Sequence, residues 1–332
     1  MISLGDPSLN PGRRSHRLRH SILAIAISLG KPSLHPQPSA RAAKRAETRP
    51  PATTRAALPR SRPSDGPSNR DPGRFDLRMT ISNQQDIDAL LRVGAIVAEA
   101  RDTMGASVAP GITTAELDGI GHEVLAKHGA RSAPQLAYGF PGTTCISVND
   151  ELAHGIPSQR RILREGDLVN IDVSAELDGY WADSGASFAV GKVSAQANAL
   201  LWATRAALED AMAIARAGTP IREIGKAVER RAKRSNLQVI RDLCGHGVGR
   251  HIHEDPSIPN ISRGADKTVL WEGLVMTIEP FLTSSAQTIV QSNDGWTLRT
   301  PDGSRGAQFE HTLIVTRGKP IVVTQHTTAA TA

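Results

Sequence analysis

Residues Asn170 to Gly185 read NIDVSAELDGYWADSG, a hairpin signal with two acids set inside its strands. Asp178-Gly179 between two β-rich runs specifies a two-residue type I′ turn. Leu177 then opposes Tyr180, and continuing the register outward sets Asp183 against Ser174 and Asp172 against Gly185, provided that no bulge intervenes. Side chains alternate between faces along a strand, so Asp172, Ser174 and Asp183 project together. The two acids become diagonal neighbours, roughly 7–8 Å apart at the backbone. Like charges that close repel unless a proton or a cation lies between them. The plain alternative is a pair of solvated acids on an exposed sheet face, and the rest of the chain decides between the two.

The chain has 332 residues and two regions of opposite charge. Residues 1–78 hold 15 Lys and Arg against 5 Asp and Glu, whereas the remainder holds 24 against 28. The high overall pI therefore belongs to the N-terminal region, and it gives no ground for nucleic-acid binding by the body. Rich in Pro, Arg and Ser and lacking amphipathic periodicity, residues 1–78 read as a disordered extension. Within it, SILAIAISLG follows a basic run and resembles a short export signal. An Arg- and Ser-rich organelle leader is a second reading, and a true start at Met79, directly before a capped helix, is a third. Residues 79–332 form the expected catalytic domain. Its two cysteines, Cys145 and Cys244, do not make a disulfide framework, which suits a reducing compartment. It contains no apolar run long enough to span a membrane, so a soluble body is expected.

Ser82-Asn83-Gln84-Gln85 reads as a capping box, followed by Ile87, Leu90, Leu91 and Val97 at helical spacing as far as about Met104. Thr113 and Glu116 cap a second helix, which ends at Gly129. The stretch from Tyr138 to Pro157 reads as loop with a short strand at 145–148. The hairpin occupies about 168–190, a long Ala-rich helix 194–216, and a further helix opens with Pro220 at its first position and ends near Asn236. Strands are expected at 274–279, 286–292, 296–299 and 309–315. Two helices, strands, two helices, strands is the order of an internal duplication in an α+β domain with largely antiparallel sheet.

Four further polar positions fall in telling contexts. CGHGVGRHIHEDP sets His246 and His253 among glycines, LVMTIEP ends an apolar strand in Glu279, and AQFEHTLIV places Glu310 in another. Nearly continuous apolar runs imply strands buried on both faces. A buried, unpaired carboxylate costs several kcal/mol, so these acids must be paired or bind a metal, and the strands offer no Lys or Arg. Asp172, Asp183, Glu279 and Glu310 with one or two histidines make an oxygen-rich divalent-metal site, and the acid count suits two ions bridged by shared carboxylates. GHGVG lacks the Lys and the helix start of a phosphate loop, and its small residues are expected to let backbone approach a metal closely.

Taken together, IDVSAELDGYWADSG, CGHGVGRHIHEDP, MTIEP and AQFEHT stand in the order and spacing of the type I methionine aminopeptidases, which the chain resembles from about Met79 to Thr324. The resemblance implies the α+β "pita-bread" fold, with two pseudo-twofold related helix-pair and sheet halves. It implies two divalent ions (Co, Mn, Fe or Zn) held by Asp172, Asp183, His246, Glu279 and Glu310, with Asp183 and Glu310 bridging. Glu279 would also carry the proton, His154 and His253 would contact the substrate at the scissile bond, and Phe140, Cys145, Ile252 and Trp296 would line the methionine pocket. The implied reaction removes the N-terminal Met of nascent polypeptides, with preference for a small second residue. The implied setting is a cytoplasmic monomer, with ribosome association or organelle targeting left open, and with neither nucleic acid nor membrane as a specific partner. Leu243, Ile252 and Ala137 stand where the family pattern favours aromatic residues, which bears on pocket shape. A proline-directed peptidase of the same fold is the competing enzyme; those carry a long folded N-terminal domain and an Arg shortly after the second Asp, and DSGAS offers none. A catalytically inactive binding relative would have lost ligands, and all five are present.

Overall fold

The computed structural model describes residues 81–325, and the expectations for residues 1–80 and 326–332 lie outside them. The first half runs α1 (Gln84–Ala106), α2 (Thr114–Lys127), β1 (Arg131–Ser132), α3 (Ala133–Tyr138), β2 (Cys145–Val148), β3 (Glu151–Ala153), β4 (Leu168–Leu177) and β5 (Tyr180–Ala189). The second half opens with α4 (Ala195–Met212), α5 (Ile221–Arg234), β6 (Gln238–Val239), β7 (Cys244–Gly247) and β8 (Glu254–Pro259). It closes with β9 (Val275–Ile278), β10 (Phe281–Thr283), β11 (Val290–Gln291), β12 (Leu298–Arg299), β13 (Gly306–Gln308), β14 (His311–Ile314) and β15 (Ile321–Val322).

The duplicated pattern of helix pair and sheet is present. In the first half, β4 pairs antiparallel with β1, β2 and β5, and α1 and α2 pack on one face of that sheet. Alternation explains which face: Val169, Ile171, Val173 and Ala175 turn toward Leu90, Val93, Val97 and Met104 of α1, and all of them are buried. The even-numbered residues of β4 are left for the opposite face. In the second half, the sheet β15-β14-β9-β7-β8 is covered by α4 and α5, whose Leu200, Ala203, Ala207, Ile224 and Val228 meet Met276, Ile278 and Leu313. Every strand pair among the described residues is antiparallel. Among those residues no helix is long and apolar enough to cross a membrane.

Local signals account for most boundaries. Thr113 and Glu116 form the full reciprocal capping box at the start of α2, and Gly129, at φ 70°, lies just past its end. At α1 the cap is Asn83, whose side chain accepts the Asp86 N–H; the Ser82 N–H goes instead to the Asp86 carboxylate, which corrects the box expected from Ser82. Pro220 proves to be the residue before α5 and not its first turn. The Ala-rich helix stops at Met212, and the strand expected at 286–292 shrinks to Val290–Gln291. The six-residue α3 lies partly in a stretch read as loop.

Candidate metal centre

The hairpin folds in the register expected from its turn, without a bulge: Leu177 pairs Tyr180, Ser174 pairs Asp183 and Asp172 pairs Gly185. Asp178 and Gly179 both take positive φ, 52° and 82°, as a type I′ turn requires. Asp172 and Asp183 therefore share the face turned away from α1 and α2, close enough for each carboxyl to shift the other's ionisation. A Cβ at Gly185, opposite Asp172, would lie 2.1 Å from the Gln308 side-chain oxygen, so Gln308 could not keep its present position with a larger residue there.

The second half of the chain brings the other expected ligands. His246 comes from β7, Glu279 directly follows β9, and Glu310 sits between β13 and β14, just outside the strands in which the sequence placed the two acids. Thr277 ties two of them together: its hydroxyl accepts the His246 N–H at 3.1 Å and donates to Glu279 Oε1 at 3.1 Å. His246 Nε2 lies 3.5 Å from Glu279 Oε1 and 3.8 Å from Asp183 Oδ2. One ligand atom each from Asp183, His246 and Glu310 lie within 4.8 Å of one another. Glu310 is seated by its N–H to the Gly185 carbonyl at 2.8 Å and by Gln308 Nε2, which donates to Glu310 Oε2 at 2.8 Å. The glycines around His246 permit close strand packing: a Cβ at Gly245 would lie 2.5 Å from the Thr277 carbonyl oxygen, and one at Gly247 2.4 Å from that of Asp255.

These carboxyls sit in a largely desolvated, acidic environment. Burial, with only a partial offset from Asp183, pushes Asp172 up to about 6. Asp183, Glu279 and Glu310 are raised well above the usual range, first by burial and then by one another's charge. Burial lowers His246 and His154 to about 4, so both imidazoles are neutral at pH 7 and have a lone pair to offer. Asp183 Oδ1 and Glu310 Oε1 are buried with no hydrogen-bond partner in the protein. Arg101, the basic group reaching this region from α1, is engaged by Asp102 and by Ser184 Oγ, which in turn donates to the Glu310 carbonyl at 2.7 Å. Partnerless carboxylate oxygens converging with a neutral imidazole fit divalent cations, which would remove the repulsion that now requires protons.

Of the residues expected on the substrate side, His154, His253 and Cys145 lie close to the expected ligands. His154 is held at φ 55°, a left-handed conformation uncommon outside glycine, with its Nδ1 buried and unpartnered. The His253 ring lies 4.3 Å from that of His246. Phe140 and Trp296 meet edge to face at 5.1 Å, Cys145 stands opposite Asp172 in register, and Ile252 is buried. Burial pushes the Cys145 thiol up, so it stays a neutral group. Leu243 packs beside the small core around Ile240 and Phe281, and Ala137 is exposed on α3. Missing from the expected set are Thr277, Gln308, Thr312 and Tyr138, each of which touches a site residue or its backbone. Thr277 could have been found from its place in MTIEP, two residues before Glu279, and Gln308 and Thr312 from theirs in AQFEHT, two residues on either side of Glu310; Tyr138 carries no local signal.

Comparison with known proteins agrees with this geometry. Residues 88–317 match the family described as "Metallopeptidase family M24". Methionine aminopeptidase 2 of Bacillus subtilis (strain 168) is 45% identical over 248 residues, covering 74% of this chain and all of that protein. Methionine aminopeptidase of Aquifex aeolicus (strain VF5) is 36% identical over 257 residues, again over its full length and 75% of this chain. The crystal structure of methionine aminopeptidase from Rickettsia prowazekii superposes with a TM-score of 0.72 at 35% identity, covering 74% of this chain and all of that one. Prolidase from Pyrococcus furiosus, at 23% identity and TM-score 0.59, covers 75% of this chain and 66% of its own and shares the fold alone. The chain belongs to metallopeptidase family M24 and, with the pita-bread fold, to its methionine aminopeptidases.

Proposed function

We propose that this chain is a methionyl aminopeptidase that removes the N-terminal Met of nascent polypeptides by dinuclear-metal-assisted hydrolysis, preferring a small second residue. The observation that carries the reading is the meeting of the buried Asp183 and Glu310, each with a partnerless oxygen, with the neutral imidazole of His246, beside the half-buried Asp172 and Glu279, in a member of this family. Asp172, Asp183, His246, Glu279 and Glu310 would hold two divalent ions, with Asp183 and Glu310 shared between them. Four carboxylates and one histidine suit Mn, Fe or Co better than a thiolate-rich zinc site would, and Zn stays within the range. Divalent ions supply an acidified water nucleophile and an electrophile for the scissile carbonyl.

The protein's own groups divide the remaining work. Glu279 accepts the proton of the attacking water and returns it to the leaving amine; its Oε1, already fixed by Thr277, does not swing away. His253 and His154 donate to the peptide and to the oxygen on which charge develops. Phe140, Cys145, Ile252 and Trp296 form the methionine pocket, with the edge-to-face pair Phe140–Trp296 as one wall. Every ligand and both substrate histidines come from one chain, so the site is complete in a monomer. The substrate places the enzyme in the cytoplasm, where a ribosome-associated population meets nascent N-termini first. Residues 1–78 stand outside the catalytic unit, 79–332, in this reading.

The deciding experiment measures metal-dependent release of Met from Met-Gly-Met and of the first residue from Xaa-Pro peptides. Fast release from the first substrate alone is expected. Preference for Xaa-Pro would establish the proline-directed alternative, and no release from either with metal bound would establish an inactive relative.

A further inference from the structure

We infer that Tyr138 is a positioning residue for His253: its hydroxyl, bonded to His253 Nδ1, holds the imidazole in the tautomer that presents Nε2–H to the cleft. The inference rests on the reading of His253 as a group that donates to substrate.

Tyr138 is the last residue of α3, and Gly139, in the left-handed region at φ 69°, stops the helix there. The helix is anchored at its other end by Ser132, whose hydroxyl donates to the Thr143 carbonyl at 2.7 Å and accepts the Gln135 N–H. Between these two fixed ends the half-buried phenol is delivered to His253, 115 residues away in the chain. The two rings lie 5.6 Å apart and are tilted by 46°.

A neutral imidazole has one donor and one acceptor nitrogen, and the group bonded to one nitrogen sets the state of the other. A protonated phenol donating to Nδ1 leaves the ring proton on Nε2. An oxygen gaining charge in the cleft needs a donor of that kind, already oriented before the substrate arrives. The backbone of the same loop is secured separately, because Glu254 Oε1 accepts the N–H groups of Arg250 at 2.6 Å and His251 at 2.7 Å. Losing the phenol hydroxyl should therefore release the ring without unfolding the loop.

The test combines kinetics with a spectroscopic readout. Tyr138→Phe should lower kcat about tenfold, the size of one lost hydrogen bond, with KM held within about twofold. In the His253→Ala background the same substitution should cause no further loss. ¹⁵N NMR of histidine-labelled, zinc-loaded enzyme should show His253 as the Nε2–H tautomer in the parent and as a mixture in Tyr138→Phe. Full kcat in Tyr138→Phe alongside an impaired His253→Ala would overturn the proposal. So would losses that multiply in the double variant, or an Nδ1–H tautomer in the parent. Should His253→Ala itself keep full kcat, the substrate role of His253 fails, while the tautomer in the two spectra still decides whether Tyr138 sets the ring.

Discussion

The hydroxyl of Thr312 accepts the backbone N–H of Asp183 at 3.0 Å and donates to the carbonyl oxygen of the same residue at 2.8 Å. This reciprocal clasp joins the hairpin, which carries two of the proposed ligands, to the strand that follows Glu310. Thr312 is fully buried, so no water can replace it. Thr312→Val keeps the volume and removes both bonds, leaving a buried N–H and C=O without a partner. The expected destabilisation is about 1–3 kcal/mol, read as a lower midpoint in denaturant unfolding, together with weaker metal binding by titration. An unchanged midpoint would show that the seam contributes nothing to the joining of the two sheets.

Asp183→Asn and Glu310→Ala should each abolish Met release and lower metal content, since each carboxylate is proposed to serve both ions. Metal analysis of the purified variants is the check, and full occupancy in either would remove that residue from the shared position.

His253→Ala should lower kcat by about 10²-fold or more, in the range of a lost transition-state hydrogen bond. Its metal content should stay at the parent stoichiometry. A metal-depleted variant, restored by excess metal, would instead make His253 a ligand.

A chain beginning at Met79 should keep the melting temperature and specific activity of the full-length protein, because the composition of residues 1–78 offers little to pack. A fall in either on truncation would place that region against the catalytic unit.

The pH dependence of stability should reveal Asp86. This buried carboxylate is held below its ordinary 3.8 mainly by the Ser82 N–H, and further by the Tyr180 hydroxyl, the Asn83 backbone and the Arg250 charge. A group whose folded pKa is depressed stabilises fully above the unfolded value and loses that effect as pH falls through the folded one. Asp86→Ala should therefore lower the melting temperature at pH 7, by an amount equivalent to about 2 kcal/mol. The gap between parent and variant should narrow as the pH drops below 3.8. Calorimetry across that range measures it, and a gap that widened toward acid would contradict the assignment.

Local chemistry made much of this protein readable before its fold was known. Asp178-Gly179 sets a turn, the turn sets a register, and the register puts Asp172 and Asp183 on one face, each step acting over neighbouring residues. The Thr113–Glu116 box and Gly129 bracket a helix for the same reason. Glu279 and Glu310 stood out because burial forbids an unpaired acid in an apolar run, although both prove to lie just past strand ends. The six residues of α3 are too few for periodicity to register, so no helix is expected there and its last residue, Tyr138, falls in a stretch that reads as loop. Tertiary structure alone decided the contacts that aim the site. Tyr138 meets His253 across 115 residues, and Thr312 meets Asp183 across 129. Such bonds depend on which faces of two distant sheets are packed together, a relation set by the burial of both cores and carried by no neighbouring residue pair.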